Sequence, residues 1–179
     1  MENLYSISRD SKKKPAVISI IATKSNTGKT TLIEKLIGIL KDRNYKVGVL
    51  KHGTHKFEID RKGKDTYRFS EAGADNVIIS NSSKLAMMKI LPEKLDIEEI
   101  LEFFNDMDIV FIEGFRENTY PKIEVHRREM DDKLLYRNSK VDPGKYIAIA
   151  SDESLDVPMP LLDLNDVDSI ADFIEDGYI

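Results

Sequence analysis

The chain has 179 residues, 41% of them apolar and 33% charged, with a formal net charge of −5 and no cysteine. That length suits one folded domain with its own core, the acidic balance argues against broad non-specific nucleic-acid binding, and the missing thiols exclude disulfides, thiolate metal sites and cysteine nucleophiles. No apolar run approaches the roughly 20 residues needed to cross a bilayer, so a cytoplasmic protein without membrane or nucleic-acid partners is the expectation.

Residues 1–14, with the basic triplet Lys12-Lys13-Lys14, read as a loosely attached arm, and 15–179 as a single domain. Ala16 to Ala22 is a continuous apolar run, the pattern of a strand buried on both faces in a parallel sheet. It leads into Thr23-Lys24-Ser25-Asn26-Thr27-Gly28-Lys29-Thr30-Thr31. Ile33, Leu36, Ile37 and Leu40 then form one stripe of a helix over 30–43, which Asn44 suits as a stop. Strand, loop with Gly-Lys-Thr, helix is the arrangement of a phosphate-binding P-loop. The backbone N–H groups of Ser25 to Thr31 and the helix N-terminus offer positive charge to phosphate oxygens. Lys29 would reach the β- and γ-phosphates as a catalytic charge, and the Thr30 hydroxyl would ligate Mg²⁺. In the pattern G-x-x-x-x-G-K-[ST] the first glycine falls at Thr23, whose β-branch tests how tightly the loop can curl.

Lys46 to Lys51 reads as a second strand, closing a βαβ unit with a right-handed crossover. The polar stretch from His52 to Arg68 follows, containing His55, Asp60, Lys64 and Asp65. Loops leaving the carboxyl ends of parallel strands lie over the ligand crevice; the same composition also describes a solvated surface loop. A short helix over 66–72 precedes Gly73. Strands over 76–80 and 84–90 flank the turn Asn81-Ser82-Ser83, and a helix is expected over 95–104.

Asp108-Ile-Val-Phe-Ile-Glu113 is a Walker-B-like strand whose carboxylate would hold Mg²⁺ through water or orient a nucleophilic water. Residues 120–127 alternate like a strand, 128–143 read as an irregular excursion, and 146–150 as another buried strand. It is followed by Asp152, where a carboxylate could read the donor edge of guanine or simply cap a turn. Asp166 is placed to cap a C-terminal helix. The fold class is therefore α/β, a P-loop nucleoside-triphosphatase with a mostly parallel twisted sheet and helices on both faces.

Two other functions fit parts of this pattern. In a small-molecule kinase, the basic residues of the polar loop and Arg116 would clamp a phosphorylated acceptor. In a metal-handling module, His52, His55 and Asp60 would converge on an ion.

The order and spacing of these stretches resemble the molybdopterin-guanine dinucleotide biosynthesis protein B (MobB) family. The shared stretches are Thr27-Gly28-Lys29-Thr30-Thr31-Leu32, Lys51-His52 with His55 and Asp60, Gly63-Lys64-Asp65-Thr66-Tyr67, and Ala72-Gly73-Ala74. They continue with Glu113-Gly114-Phe115, Lys122-Ile123-Glu124-Val125, Ala150-Ser151-Asp152 and Leu161 to Val167. The resemblance implies a homodimeric GTP-binding protein with slow Mg²⁺-dependent hydrolysis at most. It would assist the MobA-type guanylyltransferase that joins GMP to molybdopterin, with molybdopterin itself a candidate ligand.

Overall fold

The computed structural model describes residues 14–53, 59–138 and 142–179. They form two compact units, one made of the chain up to His52 together with Leu101–Ile179, the other of Gly53–Ile100.

The larger unit opens with strand β1 (Ala16–Ile21), helix α1 (Lys29–Asp42) and strand β2 (Val47–Lys51). After the smaller unit it continues with β5 (Ile109–Glu113), β6 (Lys122–His126), helix α4 (Leu135–Asn138), β7 (Tyr146–Ser151), β8 (Leu161–Asp163) and helix α5 (Val167–Tyr178). The six strands lie in the order β2-β5-β1-β6-β7-β8, and every pairing is parallel. The first strand is central because its apolar side chains can be covered from both sides. Its register sets Ile20 beside Glu113, and Lys51 stands beside Glu113 from the other side. Three chemically useful strand ends therefore share one edge of the sheet.

One face is wholly apolar. Ile18 and Ile20, Phe111, Ile123 and Val125, and Ala148 pack against Leu32, Ile33, Leu36 and Leu40 of α1 and against Ile170, Ala171 and Ile174 of α5. Asp166 caps α5 by accepting from Ser169 N at 3.1 Å, and Asn44 ends the first helix at φ 69°, as their residue types predict. Arg43 ties the two helices through Asp172 at 2.7 Å and Glu175 at 2.5 Å. On the opposite face Gly48 is needed for close approach, since a Cβ there would lie 2.5 Å from the Phe104 ring.

That opposite face also carries an unusual set of buried polar groups. Ser19, Asn118, Lys122, Glu124 and His126 are all nearly inaccessible. Lys122 Nζ donates to Asn118 O at 2.6 Å, Asn118 Oδ1 at 3.0 Å and Tyr120 O at 2.8 Å. Burial, with Lys145 adding to it, pushes the Lys122 ammonium down to about 8. Glu124 accepts from Leu135 N and Tyr136 N at 2.5 and 3.0 Å, satisfying two amide groups at the start of α4 that no helical carbonyl can reach.

The smaller unit holds helix α2 (Asp65–Glu71), strands β3 (Asn76–Ser80) and β4 (Leu85–Lys89), and most of helix α3 (Ile97–Leu101). The two strands form an antiparallel hairpin of their own. Its turn is fixed by Asn81 Oδ1, which accepts from Ser83 N and Lys84 N, as expected of an Asx turn. Asp96 and Glu99 make reciprocal bonds to each other's amides, a capping box. The helix expected over 95–104 tightens into a 3₁₀ turn at Glu102–Phe104. No helix among the described residues is long and apolar enough to cross a membrane.

Candidate nucleotide-binding site

The loop from Ala22 to Gly28 leaves the end of the central strand and enters the first helix without a side-chain cap. Its left-handed residues are Asn26 (φ 63°) and Gly28 (φ 100°), while Thr23 is not among them. The curl is therefore made in the second half of the loop, and the β-branched residue at its start is not where the backbone is demanding. Thr27 is buried and donates to Lys24 O at 2.9 Å, bracing the turn. Ser25, Asn26 and Thr31 are exposed at its rim.

Lys29 Nζ reaches back over this loop to Lys24 O at 3.0 Å. Burial lowers its pKa, with the Glu113 carboxylate pulling the other way and Arg116 and Lys51 adding repulsion. Thr30 Oγ1 donates to Glu113 Oε1 at 3.1 Å, and Lys51 Nζ stands 3.3 Å from the same oxygen. A hydroxyl and a carboxylate side by side at a phosphate loop are the hard oxygen pair that Mg²⁺ takes when phosphates and water complete its shell. The residues present fit that ion: Thr30 and Glu113 are the side chains that would hold it, and charge neutralisation is the chemistry it would supply there.

Arg116 is bound to the loop backbone, its Nη2 donating to Ala22 O at 2.7 Å and Thr23 O at 2.8 Å. His52 stacks on Phe115 with ring centroids 4.2 Å apart and planes 17° from parallel. Phe115 itself sits at φ 51°, directly after Gly114 at φ 85°. A bulky residue held left-handed at such a place is backbone strain kept by its surroundings.

The segment after β6 turns towards the same loop. Lys24 Nζ donates to Met130 O at 2.8 Å and lies 3.8 Å from Asp131. Burial works to raise the Asp131 carboxyl, but bonds from Lys133 N and Thr23 and the Lys24 charge outweigh it and hold it below its ordinary value. Arg127 bonds to Asp152 at 3.1 Å, and beside them His126 Nε2 lies 3.1 Å from Glu153.

The structure therefore gathers Ser25 to Thr31, Glu113 and Arg116 around one loop, with His52 against Phe115 and Asp152 joined by Arg127. Asp60, Lys64 and Asp65 belong to the smaller unit. There Asp60 Oδ1 accepts from Arg61 N, Lys64 precedes the helix without capping it, and Asp65 pairs with Arg68 at 3.5 Å in full view of solvent. His55 lies outside the described residues. Among those described, no three His, Asp or Glu side chains cluster as a metal site. Sequence reasoning passed over Lys24, Arg127 and Asp131. The signal available for Arg127 was positional, since it directly follows a parallel strand at the sheet's carboxyl edge.

A family model described as "Molybdopterin guanine dinucleotide synthesis protein B" matches residues 17–152. The chain is 38% identical over 153 residues to a molybdopterin-guanine dinucleotide biosynthesis adapter protein of Haemophilus influenzae, covering 84% of this chain and 83% of that one. It is 35% identical over 155 residues to the Escherichia coli protein of the same description, covering 84% and 86%. In structure it is similar to Bacillus subtilis MobB, with a TM-score of 0.72, 24% identity, and 92% and 98% of the two chains covered.

Proposed function

Because the chain belongs to the MobB family and so acts in molybdenum-cofactor biosynthesis, we propose that it does so as a GTP-binding adapter in the assembly of molybdopterin-guanine dinucleotide. The observation that carries this reading is the contact of Thr30 Oγ1 with Glu113 Oε1 at 3.1 Å, beside a lysine-bearing loop that opens a helix. The loop amides and Lys29 take the β- and γ-phosphates, Thr30 and Glu113 hold Mg²⁺, and Asp152 receives the guanine edge. Hydrolysis is slow at most. Arg116, three residues after Glu113, has its guanidinium engaged by Ala22 and Thr23 carbonyls, and a free arginine at the γ-phosphate is worth several orders of magnitude in such reactions.

The same reading makes the guanylyltransferase that joins GMP to molybdopterin the partner, with molybdopterin as a second ligand, and makes the active form a homodimer. The hairpin of the smaller unit supports the last point. Ile78, Ile79, Leu85 and Ile90 are each more than half exposed on it, and a two-stranded hairpin alone is marginally stable. Pairing with the same hairpin of a second copy would cover one of its edges and help bury its apolar side chains. Light scattering giving the mass of a single 20.5 kDa chain at micromolar concentration would remove the dimer.

Isothermal titration calorimetry with Mg²⁺ and GTP or ATP tests the nucleotide assignment. GTP is expected to bind at least about tenfold more tightly than ATP, and Lys29→Ala to abolish binding of both, because the phosphate charge loses its point partner. Equal binding of ATP and GTP would remove the guanine assignment. Unimpaired binding by Lys29→Ala would remove the site.

A further inference from the structure

Arg127 is the first residue after β6, and its side chain spans two parts of the site. Its Nε and Nη2 lie 3.5 and 3.8 Å from the point a Cβ on Gly28 would occupy, so the guanidinium rests on the glycine that precedes Lys29. Its Nη1 donates to Asp152 Oδ2 at 3.1 Å. The two side chains keep 31% and 24% of their surface accessible, enough to meet a ligand but too little for free rotation.

The backbone beneath this arginine is held as firmly as the side chain. Met130 N and Asp131 N both donate to Arg127 O, at 3.0 and 3.2 Å. The turn they make is fastened to the phosphate loop by the bond from Lys24 Nζ to Met130 O at 2.8 Å. Glu124, two residues before the strand ends, fixes the far end of the segment at Leu135 and Tyr136. An exposed arginine that merely solubilised the surface would need none of this.

We propose that Arg127 is a specificity-determining residue of the nucleotide site, bridging Gly28 and Asp152 so that the Asp152 carboxylate is held and oriented against a guanine base. The proposal rests on the guanine-nucleotide reading above and adds the residue that makes discrimination effective. Guanine presents an N1–H and a 2-amino group side by side. Adenine presents an acceptor and a C–H at the same places. A carboxylate rewards the first and leaves the second unpaired, provided it is charged and cannot turn away. Arginine stays protonated at any working pH and fixes one lone pair of one oxygen, leaving the others for the base. Its contact with Gly28 ties the position of that acceptor to the loop that holds the phosphates. Base and phosphates are then measured against one rigid reference.

The test compares wild type, Arg127→Ala and Arg127→Lys by calorimetry with the Mg²⁺ complexes of GTP, ITP and ATP, with thermal unfolding to confirm that each protein is folded. ITP lacks only the 2-amino group. Arg127→Ala is expected to weaken GTP about tenfold more than ATP and to bring the GTP:ITP ratio towards one, as loss of a charge-assisted contact would. Arg127→Lys should recover part of the lost selectivity, because it restores the charge but not the planar fork. Equal losses for GTP and ATP, or unchanged selectivity, would overturn the proposal. Asp152→Asn separates the two levels of failure, since it should exchange GTP for xanthosine triphosphate if Asp152 reads the base. If that exchange occurs while Arg127→Ala keeps full selectivity, only the role of Arg127 falls. If the wild type itself does not distinguish GTP from ATP, the guanine reading falls and Arg127 with it.

Discussion

Strand β6 presents two faces that are equally buried and quite differently built. Ile123 and Val125 enter the apolar cluster beneath α1 and α5, while Lys122, Glu124 and His126, at 0%, 1% and 3% exposure, occupy the other face. On the first face the stabilisation is non-directional and proportional to area removed from water. On the second, each polar atom must find a partner or cost free energy. Those partners are the backbone of 118–120, the amides of 135–136 and the carboxylate of Glu153. These segments adjoin the ones that carry Arg116, Arg127 and Asp152. The apolar face supplies stability, and the polar face places loops.

Ile170→Ala is the largest expected effect and probes the apolar face alone. Ile170 is fully buried in the cluster on α5, and truncation of such a side chain costs about 2–5 kcal/mol through lost transfer energy and the cavity left behind. Urea unfolding reads that cost, and GTP affinity measured where the variant is fully folded should stay at the wild-type value. A parallel fall in affinity would mean the two faces are not separable.

Lys122→Met probes the polar face through pH. An unfolded lysine keeps its proton to about 10.5, while burial lowers this one to about 8 when folded. Between those values the unfolded chain binds more protons, so the contribution of Lys122 to stability rises with pH through that window and is least below pH 8. Methionine removes the dependence. The stability of wild type relative to Lys122→Met should therefore climb by on the order of 3 kcal/mol from about pH 7.5 to 10.5. A flat difference across that range would show that the ammonium is not desolvated.

The same contrast explains what the sequence could reveal. Runs such as 16–22 and 109–112 are apolar on both faces and announce buried parallel strands without help from the rest of the chain. That Gly28-Lys29-Thr30 and Glu113 would come together was legible because each stands at the carboxyl end of an apolar run, and the two runs pair as neighbouring strands. Strand β6 alternates Lys, Ile, Glu, Val, His, which is the signature of a half-exposed strand, yet burial of its polar face depends on Asn118, Tyr120 and the amides of a later segment. Nothing local signals such partners. Helix α4 and strand β8 escaped for a related reason. Leu135–Asn138 is a single turn nucleated by a carboxylate eleven residues earlier, and Leu161–Asp163 is three residues recruited by pairing with β7 directly after Pro160. Arg127 lay among several basic residues, and only the fold shows it touching Gly28 and Asp152.

Glu124→Ala has the smallest expected cost in stability and makes the sharpest distinction. Burial raises the Glu124 carboxyl above its ordinary value, against the pull of the Leu135 and Tyr136 amides. Its contribution to stability is therefore fully present at pH below about 4.5 and declines as pH rises through the folded value. Near neutral pH the variant should lose about 1–3 kcal/mol, the cost of leaving two partly buried amides without their acceptor. Chemical denaturation at about pH 4 and pH 7 reads both the cost and its direction, with the wild type's advantage larger at the lower pH. The distinguishing measurement is GTP affinity. Glu124 anchors the end of a segment that begins at Arg127 and passes the Lys24–Met130 contact, so freeing that end should weaken GTP binding several-fold. Ile170→Ala, costing more stability, should leave the affinity alone. If Glu124→Ala destabilises the fold but binds GTP as the wild type does, the polar face is packing like the other, and the placement of Arg127 needs another cause.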